Sequence, residues 1–234
     1  MQPDADEKTL ARKIYASIRP KILFGEVGPG SRLSLREFSQ EHGVSLSVVR
    51  EAMTRLASEE LVEAIPQHGF RVRSASIPDL IDLTWARVQI ETAAIRDSIA
   101  NGDLDWECAL VSAHHKLAST KTTVDGRWSP LWATAHSEFH AALAAACASP
   151  TLLRIRQQLY DAAEIYRSWS ATSPAIRERD DDGEHAALLS AALSRNPELA
   201  ASLLAQHIQE TARMITEMRE PSAESARRKK LSVV

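Results

Sequence analysis

Residues 34–72 leave this chain few folds to choose from. Two capped helices, a glycine turn and two short apolar runs follow one another with no linker between them. Ser34 is placed to cap a helix, and Glu37, three residues on, completes a capping box. That helix stops at His42-Gly43, where glycine takes a left-handed backbone at little cost. Ser45 caps the next helix, in which Val49, Ala52, Met53 and Leu56 recur on one face. Leu46, Ser47, Arg50, Thr54 and Arg55 take the other face. Apolar runs at 61–65 and 70–73 are joined by Pro66-Gln67-His68-Gly69. Helix, tight turn, helix and hairpin predict a winged helix-turn-helix whose second helix enters a DNA major groove.

The chain on either side has a helical period. Residues 1–7 are acidic and read as disordered. A first helix is expected over 9–24, with Leu10, Ile14, Ile18 and Ile22 on one face and Pro20 placed to kink it. Residues 25–30 are a loop. A linker at 75–78 ends in Ile77-Pro78, a pair that favours extended backbone. From Asp79 onward no strand pattern is found. Helices are expected over 79–100, 103–119, 130–148, 151–170, 184–194 and 196–219. The breaks between them are Asn101-Gly102, a polar stretch at 120–129, Ser149-Pro150, a loop or short broken helix at 171–183, and the Arg195-Asn196 turn. The fold class is therefore mainly α: an N-terminal winged helix-turn-helix over 1–74 and a C-terminal all-α bundle of about six helices over 79–220. Residues 221–234, with Arg227-Arg228-Lys229-Lys230, read as a disordered basic tail.

Charge decides how such a chain would meet DNA. The formal net charge is -3, so no broad basic field surrounds it. Residues 1–75 carry 11 Lys+Arg against 10 Asp+Glu, which leaves a few placed arginines to do the contacting. Cys108 and Cys147 share no close spacing and form no zinc or redox motif. The N-terminus is polar and no apolar run approaches ~20 residues, so neither signal peptide nor membrane span is expected and the chain reads as cytoplasmic.

With these pieces in hand, residues 9–73 resemble the DNA-binding domain of GntR-type bacterial transcription regulators. The resemblance is carried by Pro29-Gly30 with Leu33, Arg36-Glu37, Gly43-Val44-Ser45, Val49-Arg50-Glu51-Ala52, Arg55-Leu56 and His68-Gly69-Phe70-Arg71-Val72. It implies DNA contacts at Arg36, Arg50, His68 and Gly69. Ser45, Ser47 and Arg55, at the start and on the outer face of the second helix, join that set. One position departs: members commonly carry a second arginine where this chain has Leu46, so base reading is expected to be weakened or changed. The rest of the chain resembles the effector-binding FCD domain of the FadR-like branch. The resemblance is strongest at Arg87 to Glu91, at Glu138-Phe139-His140 with Ser149 to Leu152, and at Glu184-His185 through His207.

Four histidines stand at telling positions. His136 and His140 are four apart and share one helix face. His185 and His207 lie about equally far before and after the Arg195-Asn196 turn, so an antiparallel helix pair brings them to one level, at ~1.5 Å rise per residue. That geometry suits a divalent metal held by three or four imidazoles, and it is equally that of unrelated histidines. The resemblance implies a metal bound by one carboxylate and three histidines: His140, His185 and His207 match the histidines, and His136 stands in place of the carboxylate. A site without a carboxylate favours zinc or nickel over manganese; a site of three ligands or none also stays open.

The resemblance further implies an effector near Arg87. Arg167 shares a helix face with Tyr160 and Glu164, and both arginines could fork onto a carboxylate or simply form helix salt bridges. Trp132 and Trp169 are expected to pack rather than touch a cofactor. The expected function is an effector-responsive transcription regulator, a repressor of organic-acid metabolism, binding double-stranded pseudo-palindromic operator DNA as a homodimer and a small organic acid as effector. Activation is the alternative within regulation. The alternative outside it is a metal-dependent small-acid enzyme, which the sequence argues against. In His136-Ser-Glu-Phe-His140 the glutamate falls two residues after the first histidine and points away from the pair. No nucleophile triad, P-loop or dinucleotide motif is present either.

Overall fold

The computed structural model describes residues 5–124, 127–170 and 181–219. The chain divides into two compact units, Met1–Ser76 and Ile77–Val234.

In the first unit, helix α1 (Ala5–Leu23) packs on α3, burying Ile14, Ile18 and Ile22. It starts at Ala5, earlier than the expected residue 9 and within the stretch 1–7 expected to be disordered. It also runs through Pro20 without a break. Helix α2 (Leu35–His42) is capped by Ser34, whose Oγ accepts from Glu37 N at 3.2 Å, and it ends at Gly43 with φ 63°. Helix α3 (Leu46–Ser58) is capped by Ser45 and buries Val48, Val49, Ala52, Met53 and Leu56. These five close the core against α1. Strands β2 (Val62–Ile65) and β3 (Gly69–Val72) form the wing. Gln67 takes the left-handed turn position at φ 63°, and His68 N donates to Ile65 O at 3.0 Å.

One strand of this first unit was not expected. Arg32–Leu33 forms β1 on the far edge of β3, giving the order β1-β3-β2 with Leu33 opposite Phe70. Two residues are too few to show an alternation; pairing with β3 is what makes them a strand.

The second unit holds six helices among its described residues: α4 (Ile77–Asn101), α5 (Leu104–Ala118), α6 (Pro130–Ala144), α7 (Pro150–Ser170), α8 (Asp181–Leu193) and α9 (Pro197–Arg219). Helix α4 packs against α9, α7 and α6, while α5 packs against α6 and α8. The core between them holds Ile95, Ile99, Trp106, Leu110, Trp132, Phe139, Leu143, Leu188 and Leu204. No described helix is long and apolar enough to cross a membrane.

Four boundaries differ from expectation. Residues 77 and 78, expected in a linker, form the first turn of α4, where proline's missing N–H costs nothing. A short antiparallel hairpin, β4 (Thr123–Val124) with β5 (Arg127–Trp128), stands where no strand was expected. Helix α6 stops at Ala144 rather than 148, because side chains of α4 take the next amides: Ala146 N donates to Ser98 Oγ at 3.0 Å and Ala148 N to Asp97 Oδ2 at 2.7 Å. Helix α8 starts at Asp181, within the expected loop at 171–183. The remainder of that loop, the Trp169 side chain and the basic tail lie outside the described residues.

Candidate functional site

The outer face of α3 is exposed at Leu46, Ser47, Arg50, Thr54 and Arg55, and Arg36 on α2 and His68 on the wing are exposed as well. Ser45 is occupied as the cap of α3 and bonds Ser47 Oγ at 2.7 Å. Arg55 is anchored: its guanidinium lies 4.0 Å over the Tyr15 ring and its Nε is 3.6 Å from Glu59. The Tyr15 hydroxyl donates to the same carboxylate at 2.7 Å. Arg50 is exposed on this helix, with Thr54 Oγ1 bonded to its carbonyl at 2.9 Å. At Leu46, 51% exposed, an apolar surface occupies the first turn.

The second site lies inside the bundle. His136 and His140 of α6, His185 of α8 and His207 of α9 are all buried, and one ring nitrogen from each lies within 4.8 Å of the others. The His136 and His140 Nε2 atoms are 3.2 Å apart. The rings of His185 and His207 are 4.9 Å apart, as equal distances from the α8–α9 turn require. Trp132 stacks on His136 at 4.7 Å and Phe139 edges onto His140 and His185, so the core itself aims the rings. Burial pushes His136 and His140 well below the usual histidine range, and neighbouring arginines and imidazoles add to this. These rings are neutral and can act as nitrogen ligands. His207 Nδ1 donates to Glu184 Oε2 at 2.7 Å, which puts the ring's lone pair on Nε2, the arrangement typical of a metal-binding histidine. Four buried imidazoles, one already oriented by a carboxylate, fit a divalent transition metal.

A shell of charge backs the cluster. Tyr160, fully buried, lies 2.7 Å from His136 Nδ1, and three buried arginines surround its ring: Arg156 at 4.8 Å, Arg87 at 5.4 Å and Arg167 at 5.8 Å. Each pair is balanced from within. Arg87 Nε donates to Glu91 Oε1 at 2.7 Å, and Arg156 reaches the other Glu91 oxygen at 3.5 Å. Burial alone would raise the Glu91 carboxyl, but the two arginines outweigh it and hold it below its usual range. Arg167 bonds Glu164, whose carboxyl burial pushes up. Sequence reasoning missed Arg156, Glu91 and Glu184 as members of this site. The signal for Arg156 was its four-residue step before Tyr160, on the face that also carries Glu164 and Arg167.

Space around the cluster is uneven. Between Arg87 and Arg167 the free volume is about 10 Å³, room for a water and no more. On the outer side a cavity of about 480 Å³ opens onto His207 and Glu184 and is bordered by Arg213. Glu138, two residues after His136, binds Lys116 at 2.6 Å instead of a cluster histidine. Cys108 and Cys147 are both free thiols.

Residues 10–72 match the family described as bacterial regulatory proteins, gntR family, and residues 82–210 match the FCD domain. The chain is 35% identical over 216 residues to the uncharacterized HTH-type transcriptional regulator BphR of Paraburkholderia xenovorans strain LB400, covering 88% of this chain and 85% of that one. It is 29% identical over 198 residues to the HTH-type transcriptional repressor GlaR of Escherichia coli K12, covering 83% and 90%. Among solved structures, E. coli McbR/YncC superposes with a TM-score of 0.79 at 19% identity, over 90% of this chain and 99% of that one. A putative GntR regulator from Rhodococcus sp. RHA1 superposes with a TM-score of 0.73 at 24% identity, over 88% and 97%. A winged helix joined to a histidine-centred helical bundle, matched in both halves, makes this chain a member of the GntR family in its FCD-bearing branch, a DNA-binding transcription regulator and not an enzyme.

Proposed function

We propose that the chain represses transcription from a pseudo-palindromic operator as a homodimer, and that a small organic acid bound at a metal in the C-terminal unit controls its hold on DNA. The observation that carries this reading is the convergence of four buried imidazoles beside three buried arginines. The repressor sense follows the relatives whose names state it, GlaR among them. Arg36, Arg50, His68 and Gly69, with Ser45, Ser47 and Arg55, form the DNA-facing set. His140, His185 and His207, with His136 beside them, form the metal set, and zinc or nickel suits nitrogen donors of this kind. When bound, the metal supplies a Lewis-acid position that draws a carboxylate.

The acid approaches from the cavity at His207 and Glu184, because the space between Arg87 and Arg167 is closed. Arg87, Tyr160 and Arg167 then take part only if Glu91 or Glu164 yields its arginine. That displacement couples the bundle's packing to the ligand. The test is linkage. Operator affinity is titrated at fixed salt with and without hydroxy acids, dicarboxylates and sugar acids, on metal-loaded and chelated protein. One class of acid is expected to shift operator affinity by ~1–3 kcal/mol, and chelation is expected to abolish the shift while DNA binding persists. A shift that survives chelation undiminished would remove the metal from the sensing mechanism.

A further inference from the structure

Two histidines of the cluster face opposite kinds of neighbour through Nδ1. His207 Nδ1 meets the Glu184 carboxylate, an acceptor, at 2.7 Å. His136 Nδ1 meets the Arg167 Nη1 at 2.9 Å, and a guanidinium can only donate. A neutral imidazole has one lone pair, and the neighbour of one nitrogen decides which nitrogen carries it. The lone pair of His136 therefore sits on Nδ1 and its proton on Nε2. That Nε2 lies 3.2 Å from His140 Nε2, a hydrogen-bond distance inside the cluster. The Tyr160 hydroxyl, 2.7 Å from the same Nδ1, can donate or accept and so conforms to the arginine.

We propose that His136 is a hydrogen-bond donor at the centre of this site, and that His140, His185 and His207 alone hold the metal. This rests on the metal reading given above. For His136 to ligate through Nε2, its proton would have to move to Nδ1, setting two donors 2.9 Å apart in a fully buried place. Arg167 is tied down by Glu164, itself buried, and cannot step aside at no cost. A carboxylate at this position could serve both neighbours, one oxygen to the arginine and the other to a metal. An imidazole cannot. His136 thus presents a fixed N–H toward the metal's open side. Such a site takes a carboxylate with one oxygen toward the metal and the other accepting from His136.

The experiment is zinc affinity of the full chain by competition with a chromogenic chelator, with folding of each variant checked by circular dichroism. His140→Ala, His185→Ala and His207→Ala are expected to lose binding, while His136→Ala stays within a few-fold of wild type. Glu164→Gln/Arg167→Met removes the donor together with its carboxylate. It leaves Nδ1 facing only the Tyr160 hydroxyl, which can accept a proton from it, and is expected to tighten zinc by about tenfold, the scale of effects from groups hydrogen-bonded behind a metal ligand. That gain should vanish when His136→Ala is added. A 15N NMR measurement on zinc-loaded wild type should find the His136 proton on Nε2. The proposal is overturned if His136→Ala is as damaging as His140→Ala, if the double variant fails to gain, or if the proton is on Nδ1. Zinc binding by none of the chains, wild type included, overturns the metal reading and this proposal with it.

Discussion

At the scale of single residues, the same side-chain type does different work according to what surrounds it. Arg50 and Arg55 lie on one exposed face of α3, yet Arg55 is spent on Tyr15 and Glu59. Arg50→Ala is therefore expected to cost roughly 1–3 kcal/mol of specific operator affinity in a gel-shift titration at fixed salt. The melting temperature should stay the same, since the buried face of α3 is untouched. Tyr15 gives a pH signature. Burial and its bond to Glu59 push the phenol up to about 12, above an unfolded value of ~10. Its contribution to stability is fully present below pH ~10 and is lost as pH rises toward 12. Alkaline melts of wild type should fall faster over this window than those of Tyr15→Phe. An equal slope would show that Tyr15 ionises as freely in the folded state as in the unfolded one. In the bundle, Arg87 was a candidate through the family resemblance and Arg167 through the helix face it shares with Tyr160 and Glu164. That each is already met by a glutamate was not legible, because Glu91 and Glu164 could as well have pointed to solvent.

At the scale of elements, caps and turns were the most readable feature, since they depend on a residue and its neighbours a few positions on. Ser34, Gly43 and Ser45 behave as their local chemistry requires. The end of α6 and the strand β1 were not readable. One depends on Asp97 and Ser98 of α4, and the other on pairing with β3. Gly102 shows how an element boundary becomes a packing constraint. A Cβ there would stand 2.2 Å from the Trp106 ring, and Trp106 is buried with its Nε1 donating to Ala142 O at 2.9 Å. Gly102→Ala is expected to destabilise the chain by about 1–3 kcal/mol through overpacking, measured by urea unfolding. Trp106→Phe in the same background should relieve part of the clash, because the atoms nearest the added Cβ belong to the six-membered ring of the indole. Arg195 pins the same corner, its Nη1 donating to Ile99 O at 2.9 Å and Gly102 O at 2.7 Å from a left-handed backbone at φ 55°. A cation on the last carbonyls of α4 suits that helix end.

At the scale of the whole molecule, metal and stability are linked. Purified without chelator, the chain is expected to carry about one divalent ion per protomer by elemental analysis. Metal that binds only the folded state raises its stability by about 2.7 kcal/mol at a hundredfold excess over Kd. Chelation should therefore lower the melting temperature of wild type and leave that of His140→Ala or His207→Ala nearly unmoved. Equal shifts in all three would mean that the chelator acts elsewhere.

The winged helix, the helical bundle and the pairing of His136 with His140 and of His185 with His207 were legible in the sequence alone, whereas the meeting of the two pairs was decided by the packing of α6 against α8 and α9. Four-residue spacing puts two rings on one face, and equal distances from a turn put two more at one height. Only the tertiary structure decided what stands behind each ring. Glu184 and Arg167 lie 23 residues from His207 and 31 from His136. Helical period relates residues within one helix and carries no information about which side chain of another helix will meet a given nitrogen.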